Sequence, residues 1–235
     1  MEEFVQLLKN WNIELSEKQQ QQFIKYYEML IETNKVMNLT RVTEFEEVLE
    51  KHYLDSVALC NVMDLKGDIS LIDVGTGAGF PGIPLKIVFP GLKIVLLDSL
   101  GKRVNFLNGV VKELGLENIK AIHFRAEDAG QDEMYREKFD LCVSRAVASL
   151  NTLAELCLPF VKTGGKFVSY KSGNIDEEVA NSKKAIATLG GGDIKLDKFN
   201  LPSSDAGRTF VVINKAVSTP KKYPRKPGIP GKKPI

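Results

Sequence analysis

The chain has little of what several kinds of chemistry require. Its three cysteines, Cys60, Cys142 and Cys157, form no C-x-x-C spacing and each sits in an apolar context. Buried free thiols in a reducing compartment are therefore expected rather than a disulfide framework. There are two histidines, and neither has metal-ligand company, so no metal is expected. His52 lies on a predicted helix with Asp55 three residues on, which suits a local pair or a core edge better than a catalytic role, and His123 falls in a predicted strand. No apolar run approaches the roughly 20 residues that span a bilayer. The opening "MEEFVQLLKNWN" is amphipathic, without the basic start and long apolar core of a signal peptide. A cytoplasmic protein without a membrane segment is the expectation.

What is present is a chain of 235 residues, 43% hydrophobic, long enough for one large domain or a domain plus an extension with a real core. The formal charge of +2 is unevenly spread. From Pro220 onward there are six basic residues (Lys221, Lys222, Arg225, Lys226, Lys232, Lys233), no acid, and five of the ten prolines. The rest carries 26 basic residues against 30 acidic ones, a net −4 beside a tail of +6. Positive charge is concentrated where a polyanion can be gripped.

Residues 1–66 read as a helical extension. Ser16 with Gln19 makes a capping box, Phe23, Tyr26, Tyr27, Leu30 and Ile31 recur at helical spacing, and a second helical pattern runs from about 45 to 62. Residues 67–216 alternate short apolar runs with helical stretches. "ISLIDV", "LKIVLLD", "IKAIHF", "FDLCVSR" and "GKFVSYK" read as strands, and 101–115, 150–160 and 175–189 as helices. That alternation predicts an α/β fold with a mostly parallel sheet and helices on both faces. "IKLDKFNL" and "RTFVVINK" are separated only by "PSSDAG", too short for a crossover helix, and should close the sheet as an antiparallel hairpin. Residues 217–235 form a Pro/Lys-rich basic tail.

The glycine-dense turn in "LIDVGTGAGFPGIP" follows the first strand and precedes a predicted helix. In a doubly wound sheet this turn lies beside the ligand, so Gly75, Gly77 and Gly79 should line the site. The spacing G-x-G-x-G, preceded by Asp73, departs from the dinucleotide fingerprint G-x-G-x-x-G and disfavours NAD. Asp98 ends the second strand, where it can accept from both hydroxyls of a ribose. Glu127 follows the third, at a position suited to an adenine edge. Taken singly, the glycines suit a plain turn and Asp98 a helix N-terminus. Taken in order, with the terminal hairpin, they resemble the S-adenosylmethionine-dependent methyltransferases, whose Rossmann-like fold is the expectation.

The methyl acceptor is narrowed by the segment after the fourth strand. "VSRAVASL" stands where enzymes acting on exocyclic amines carry an Asp- or Asn-Pro-Pro-Tyr segment, and no acid ends that strand to serve as base for a ribose hydroxyl. A cytosine-carbon mechanism needs an activated thiolate, whereas Cys142 and Cys157 read as core residues. Acceptors already nucleophilic at neutral pH are left.

The segments "NKVMNLTRVT", "HYLDS", "DVGTGAGFPGIP", "DSLGKR", "SRAVA" and "TPKKYPRKPG" together resemble the bacterial RsmG family, also called GidB, the small-subunit ribosomal RNA guanine-N7 methyltransferases. The resemblance covers nearly the whole chain. It implies that Gly75, Phe80, Ala126, Glu127 and Arg145 contact the cofactor, and that the substrate is a guanine of 16S rRNA near the decoding region. Guanine N7 carries an available lone pair, so catalysis should rest on alignment and electrostatics rather than on a base. Arg145, at the end of the fourth strand, is the candidate catalytic residue, orienting either the cofactor's carboxylate or the guanine O6.

N7 lies on the deep major-groove edge of A-form RNA, so the target should be a loop, bulge or opened base. Lys221, Lys222 and Arg225 are expected to contact phosphates with Tyr223 available to stack, the alternative being a solvated tail without consequence. Asn38, Thr40 and Arg41 suit RNA or cofactor contact and equally a capped helix boundary. Lys171 faces either the pocket or the solvent. The partner expected is 16S rRNA in the small ribosomal subunit, and the chain a monomer. The competing readings are a methyltransferase of another RNA or acceptor atom, a noncatalytic ribosome-assembly factor that binds RNA, and, less favoured, an NAD-dependent oxidoreductase.

Overall fold

A computed structural model of the chain describes residues 1–145, 147–202 and 207–235. The five apolar runs predicted as strands become β1 (Ser70–Val74), β2 (Lys93–Asp98), β3 (Ile119–His123), β4 (Phe139–Arg145) and β5 (Val161–Ser172), and all their mutual pairings are parallel. The two last runs become β6 (Gly191–Asn200) and β7 (Gly207–Lys215). They pair antiparallel, Asn200 opposite Gly207, as expected of the hairpin; of its "PSSDAG" connection, 203–206 lie outside the described residues. The sheet order is β3-β2-β1-β4-β5-β7-β6, so β7 lies between β5 and β6 and runs against both. Strand order reverses between β1 and β4. A crevice therefore opens beyond their C-terminal ends, at Val74 and Arg145, where ligands bind in such sheets.

Alternation along β1 shows how the core divides. Leu71 faces a cluster with Ile83, Leu96 and Leu107, while Ile72 and Val74 face another with Leu153, Phe167 and Ile186. Helices α5 (Gly82–Val88) and α6 (Gly101–Glu113) cover the first face; α8 (Leu150–Cys157) and α9 (Asp176–Thr188) cover the second.

The N-terminal helices join the first of these clusters. They are α1 (Glu2–Asn10), α2 (Glu17–Met37) and a bent run made of α3 (Phe45–Val48), a π turn (Leu49–Leu54), α4 (Asp55–Val57) and a 3-10 turn (Ala58–Asn61). Phe4, Phe23, Tyr26, Leu30 and Tyr53 are buried there with Phe80 and Ile83. The Ser16–Gln19 capping box forms as expected, and the same Gln19 amide donates to Ile87 O on α5 at 2.7 Å. Buried Gln22 donates to Leu114 O at the end of α6, also at 2.7 Å. These hydrogen bonds fix the extension against the sheet's helices.

The tail departs from the picture of a solvated basic segment. It crosses the second face and ends in a short helix, α10 (Ile229–Lys232). The Arg136 guanidinium donates to the carbonyls of Gly130, Thr219, Pro220 and Tyr223 at 2.7–3.3 Å. The wholly buried Lys215 ammonium donates to Leu158 O at 2.7 Å and to the Thr219 hydroxyl. A chain segment with few apolar side chains is thus held mainly by its backbone, with carbonyls satisfied by buried or half-buried cations.

Candidate functional site

The glycine turn is built on Asp73, whose side chain β1 points toward α5. Its Oδ2 accepts from the Thr76 hydroxyl at 2.7 Å and the Gly82 N–H at 2.9 Å, while Oδ1 is buried with no partner. Burial pushes the Asp73 carboxyl up to about 6, against the pull of those two hydrogen bonds. The Gly75 N–H donates to Leu97 O at 2.8 Å, which ties the turn to β2. Gly77 and Gly79 both hold positive φ, +62° and +106°, for different reasons. A Cβ at Gly79 would lie 2.5 Å from Ile83 Cδ1 and 2.7 Å from the Tyr26 hydroxyl, so packing requires glycine there. A Cβ at Gly77 would meet only Gly75 O, at 4.0 Å, and so points into open space.

Asp98, at the end of β2, is buried and engaged from two sides. Its Oδ2 accepts from the Gly77 N–H at 3.0 Å and its Oδ1 from the Leu100 N–H at 2.9 Å, with the Arg103 guanidinium 3.6 Å away. Ala126 and Glu127 open the short helix α7 (Ala126–Ala129) after β3. The Glu127 carboxylate accepts from the Gly228 N–H of the tail at 2.9 Å, so the tail meets the rim of the site.

Arg145 joins the turn to a second hollow. Its guanidinium lies 5.1 Å from the centre of the Phe80 ring and donates to Asp55 Oδ2 at 2.8 Å and Lys51 O at 3.2 Å. The other Asp55 oxygen accepts from Arg208 Nε at 3.0 Å. One buried carboxylate thus accepts from two guanidinium groups, one on each oxygen. His52 stacks on Phe80 with centroids 4.5 Å apart, and its Nε2 is 2.7 Å from the Thr40 hydroxyl. Burial, aided by the Arg145 charge, lowers His52 to about 3, so the ring is neutral and too weak a base to deprotonate an acceptor. Beyond these groups lies a cleft of about 560 Å³ lined by Asp55, Arg145, Lys171, Phe199, Arg208 and Phe210 among others. Among the described residues its carboxylates, Asp55 and Glu178, are both ion-paired. The arrangement suits a reaction that needs a positioned, already nucleophilic acceptor.

Residues 19–205 match the GidB family, described as rRNA small subunit methyltransferase G. The chain is 53% identical to the Ribosomal RNA small subunit methyltransferase G of Alkaliphilus metalliredigens (strain QYMF), covering 94% of this chain and 92% of that one. The protein of the same name from Brevibacillus brevis (strain 47 / JCM 6285 / NBRC 100599) is 50% identical, over 100% of this chain and 98% of the relative. The chain belongs to the GidB family. It is a small-subunit rRNA methyltransferase, as the resemblance of its motifs implies. The fold is likewise the expected one. A geranyl diphosphate methyltransferase in complex with SAM is similar at a TM-score of 0.53 and 12% identity, covering 70% of this chain and 85% of that one. A SAM-dependent O-methyltransferase from Thermotoga maritima is similar at a TM-score of 0.52 and 16% identity, covering 81% of this chain and 72% of that one.

In this GidB chain the sequence-predicted residues divide into three groups. Asp73, Gly75, Gly77, Gly79, Phe80, Asp98 and Arg145 gather at the crevice between β1, β2 and β4, and Ala126 and Glu127 stand at the end of β3. Lys171 faces the cleft, where its ammonium donates to Ala148 O at 2.9 Å and Glu178 at 2.8 Å. Thr40 braces His52. Asn38 caps α2 in a left-handed conformation, which is the helix-boundary reading, and both Asn38 and Arg41 are exposed. Lys221 and Lys222 are exposed on the ordered tail.

Two tail expectations are corrected. The Arg225 guanidinium is not presented for phosphate: it makes a bidentate pair with Glu155, whose side chain is 1% exposed, at 2.6–3.1 Å. Tyr223 is half-buried against the second core cluster with the Lys222 ammonium 5.3 Å from its ring centre, so its face is already occupied. A third correction concerns His52, which makes no pair with Asp55, because that carboxylate is taken by Arg145 and Arg208. Asp55, Arg208 and Phe199 are the cleft residues that sequence reasoning missed. Their only local signal is the "HYLDS" segment, since the partners come together through the tertiary fold. Cys142 and Cys157 are buried, and burial pushes the Cys142 thiol well up, in keeping with core packing.

Proposed function

We propose that this chain transfers the methyl group of S-adenosylmethionine to N7 of a guanine in 16S rRNA, with Arg145 as the group shared by cofactor site and acceptor cleft. The observation that carries the reading is the open space above Gly77 and the unpartnered buried Asp73 Oδ1, joined through Arg145 to a cleft whose carboxylates, among the described residues, are both ion-paired. The unpaired oxygen fits a cofactor that carries an ammonium group, and glycine at position 77 leaves room for it.

S-adenosylmethionine supplies an electrophilic sulfonium methyl, which the guanine N7 lone pair can take without prior loss of a proton. Asp73, the three glycines and Phe80 shape the cofactor's cradle. Asp98 holds its ribose, and Ala126 and Glu127 border its adenine. Arg145 orients the cofactor's carboxylate or the guanine O6, with Asp55 fixing its guanidinium. Exposed Asn38, Arg41, Lys221 and Lys222 suit phosphate contacts, as does the cleft's Lys171 on its rim; these bring the RNA to the site through charge and set its salt dependence. A monomer in the cytoplasm completes the reading. Among the described residues, no helix is long and apolar enough to cross a membrane.

The test is transfer of label from radiolabelled S-adenosylmethionine to 30S subunits prepared from a strain lacking this gene. The expected product is 7-methylguanosine in 16S rRNA. Label in any other nucleoside would overturn the acceptor assignment.

The raised Asp73 carboxyl carries a second expectation, on stability. Between its unfolded value near 3.8 and about 6, the folded state holds more protons than the unfolded one, so apo-protein stability falls as pH rises through that window. The gap of about two pH units corresponds to about 3 kcal/mol at pH 7. Asp73→Asn, which keeps an oxygen for Thr76 and Gly82, is expected to remove this fall while weakening cofactor binding. Thermal unfolding of both proteins from pH 5 to 8, with calorimetry at pH 7, checks it; parallel pH curves would sink the assignment.

A further inference from the structure

We infer that His52 is a positioning residue that, through its hydrogen bond with Thr40, holds the loop of residues 38–44 as one wall of the acceptor cleft. The inference rests on the rRNA methyltransferase reading and adds to it how that wall is kept in place relative to the cofactor's cradle. The loop is irregular chain that leaves α2 at Asn38, where the backbone is left-handed. Its middle is bracketed all the same. The Asn34 side chain, near the end of α2, accepts from the Thr40 N–H at 2.9 Å and donates to Thr40 O at 3.0 Å. The Val42 N–H donates to the Thr40 hydroxyl at 3.0 Å, and the Tyr27 hydroxyl to Thr43 O at the same distance. Those bonds tie the loop to itself and to α2. The 2.7 Å contact between the Thr40 hydroxyl and His52 Nε2 reaches instead across to the π turn.

What lies on the other side of His52 gives that bond its meaning. The ring stacks on Phe80, at the end of the glycine turn, with planes 27° apart, and the Arg145 guanidinium sits against the same Phe80 ring and 3.4 Å from His52 Nδ1. Val42, held by Thr40, lines the 560 Å³ cleft together with His52 and Arg145, and its neighbour Arg41 is exposed. One imidazole therefore spans the distance from the cradle to the loop, and so fixes where the cleft wall stands relative to Arg145. A flat ring suits both contacts, since stacking uses its face and hydrogen bonding its edge. Either nitrogen of the neutral ring can carry the proton, and a hydroxyl both donates and accepts, so the bond to Thr40 forms in both tautomers. A side chain that only filled space beside Phe80 would need neither the nitrogen nor the hydroxyl.

The test removes one half of the bond at a time. His52→Phe keeps a ring on Phe80 and loses the nitrogen, Thr40→Val keeps the shape and loses the hydroxyl, and Thr40→Ser keeps the hydroxyl. The probe is the 30S subunit from a strain lacking this gene, bound in the presence of S-adenosylhomocysteine and followed by filter retention. Calorimetry gives each variant's affinity for S-adenosylhomocysteine, and thermal unfolding its stability. His52→Phe is expected to weaken subunit binding about tenfold, the cost of one hydrogen bond whose partner is left unpaired. Thr40→Val, which also strands the Val42 N–H, should weaken it at least as much, and Thr40→Ser should bind as the unaltered chain does. The double variant His52→Phe/Thr40→Val should match Thr40→Val within about twofold, because the shared bond is lost only once. Cofactor affinity should hold throughout, and in transfer assays the loss belongs in KM rather than kcat. Multiplying losses in the double variant, cofactor affinity falling in step with subunit affinity, Tm falling with subunit affinity unmoved, or no subunit binding by the unaltered chain would each overturn the inference. Because binding is read without methyl transfer, a chain that labels no subunit, or labels another nucleoside, yet shows this pattern fails the proposed function and keeps the positioning pair.

Discussion

Gly77→Asp is expected to abolish methyl transfer while leaving the fold standing. The turn's backbone holds φ at +62° there, which aspartate tolerates better than most residues, at about 1 kcal/mol. For a chain of this size that is a fall of roughly 2–4 °C in Tm. The side chain enters the open space above the turn, beside an N–H that donates to Asp98. It therefore fills the volume the cofactor needs and sets a second carboxylate near the one that holds the ribose. A loss of at least about 100-fold in affinity for S-adenosylhomocysteine, roughly 2.7 kcal/mol, should appear in calorimetry with Tm nearly unchanged. Gly77→Asn separates the contributions: it blocks the space without adding charge and should bind less badly. Unaltered affinity in both variants would remove the turn from the site.

Arg225→Ala has the largest expected effect on stability. Glu155 is almost wholly buried, and its carboxylate accepts from the Arg225 guanidinium and from the Arg225 backbone N–H at 2.8 Å. Losing the guanidinium leaves a buried charge with one remaining donor, a change that costs about 3–5 kcal/mol when one partner of a buried pair is removed. The partial exposure of Arg225 places the expectation toward the lower figure, with Tm falling by roughly 10 °C. Replacing Glu155 with leucine in the same chain should recover much of that loss, because it removes the stranded charge. A phosphate contact would behave in the opposite way, lowering RNA affinity and its salt dependence with Tm unmoved. Thermal scans of the single and double variants decide between the two.

Local signals carried the architecture a long way. The run "FDLCVSR" coincides with β4, residues 139 to 145, and the Ser16–Gln19 pair marks the start of α2 as its side chains demand. Period-two and helical patterns are set by nearest neighbours along the chain, so they survive in the sequence. The glycine spacing with its flanking acids is equally local. The cleft is not: Asp55 meets Arg145 90 residues away and Arg208 153 residues away, and nothing near Asp55 distinguishes these partners from His52. The tail was opaque for a related reason. Its lysines and prolines suggest a solvated segment, whereas its anchors are buried or half-buried groups elsewhere, Glu155, Lys215 and Arg136, that await a guanidinium, a hydroxyl and carbonyls.

The order of strands has a consequence for how the enzyme is made. Because β7 inserts between β5 and β6, a chain emerging N-terminus first exposes β6 without its neighbour, and β5 with an open edge, until residues 207–215 are out. Glu127, Arg136 and Glu155 wait longer still, for residues 219–228 to close over them. Both the sheet and the rim of the methylation site thus wait for residues 207–228, so the glycine turn after β1, among the first parts of the sheet to be made, is among the last to be enclosed.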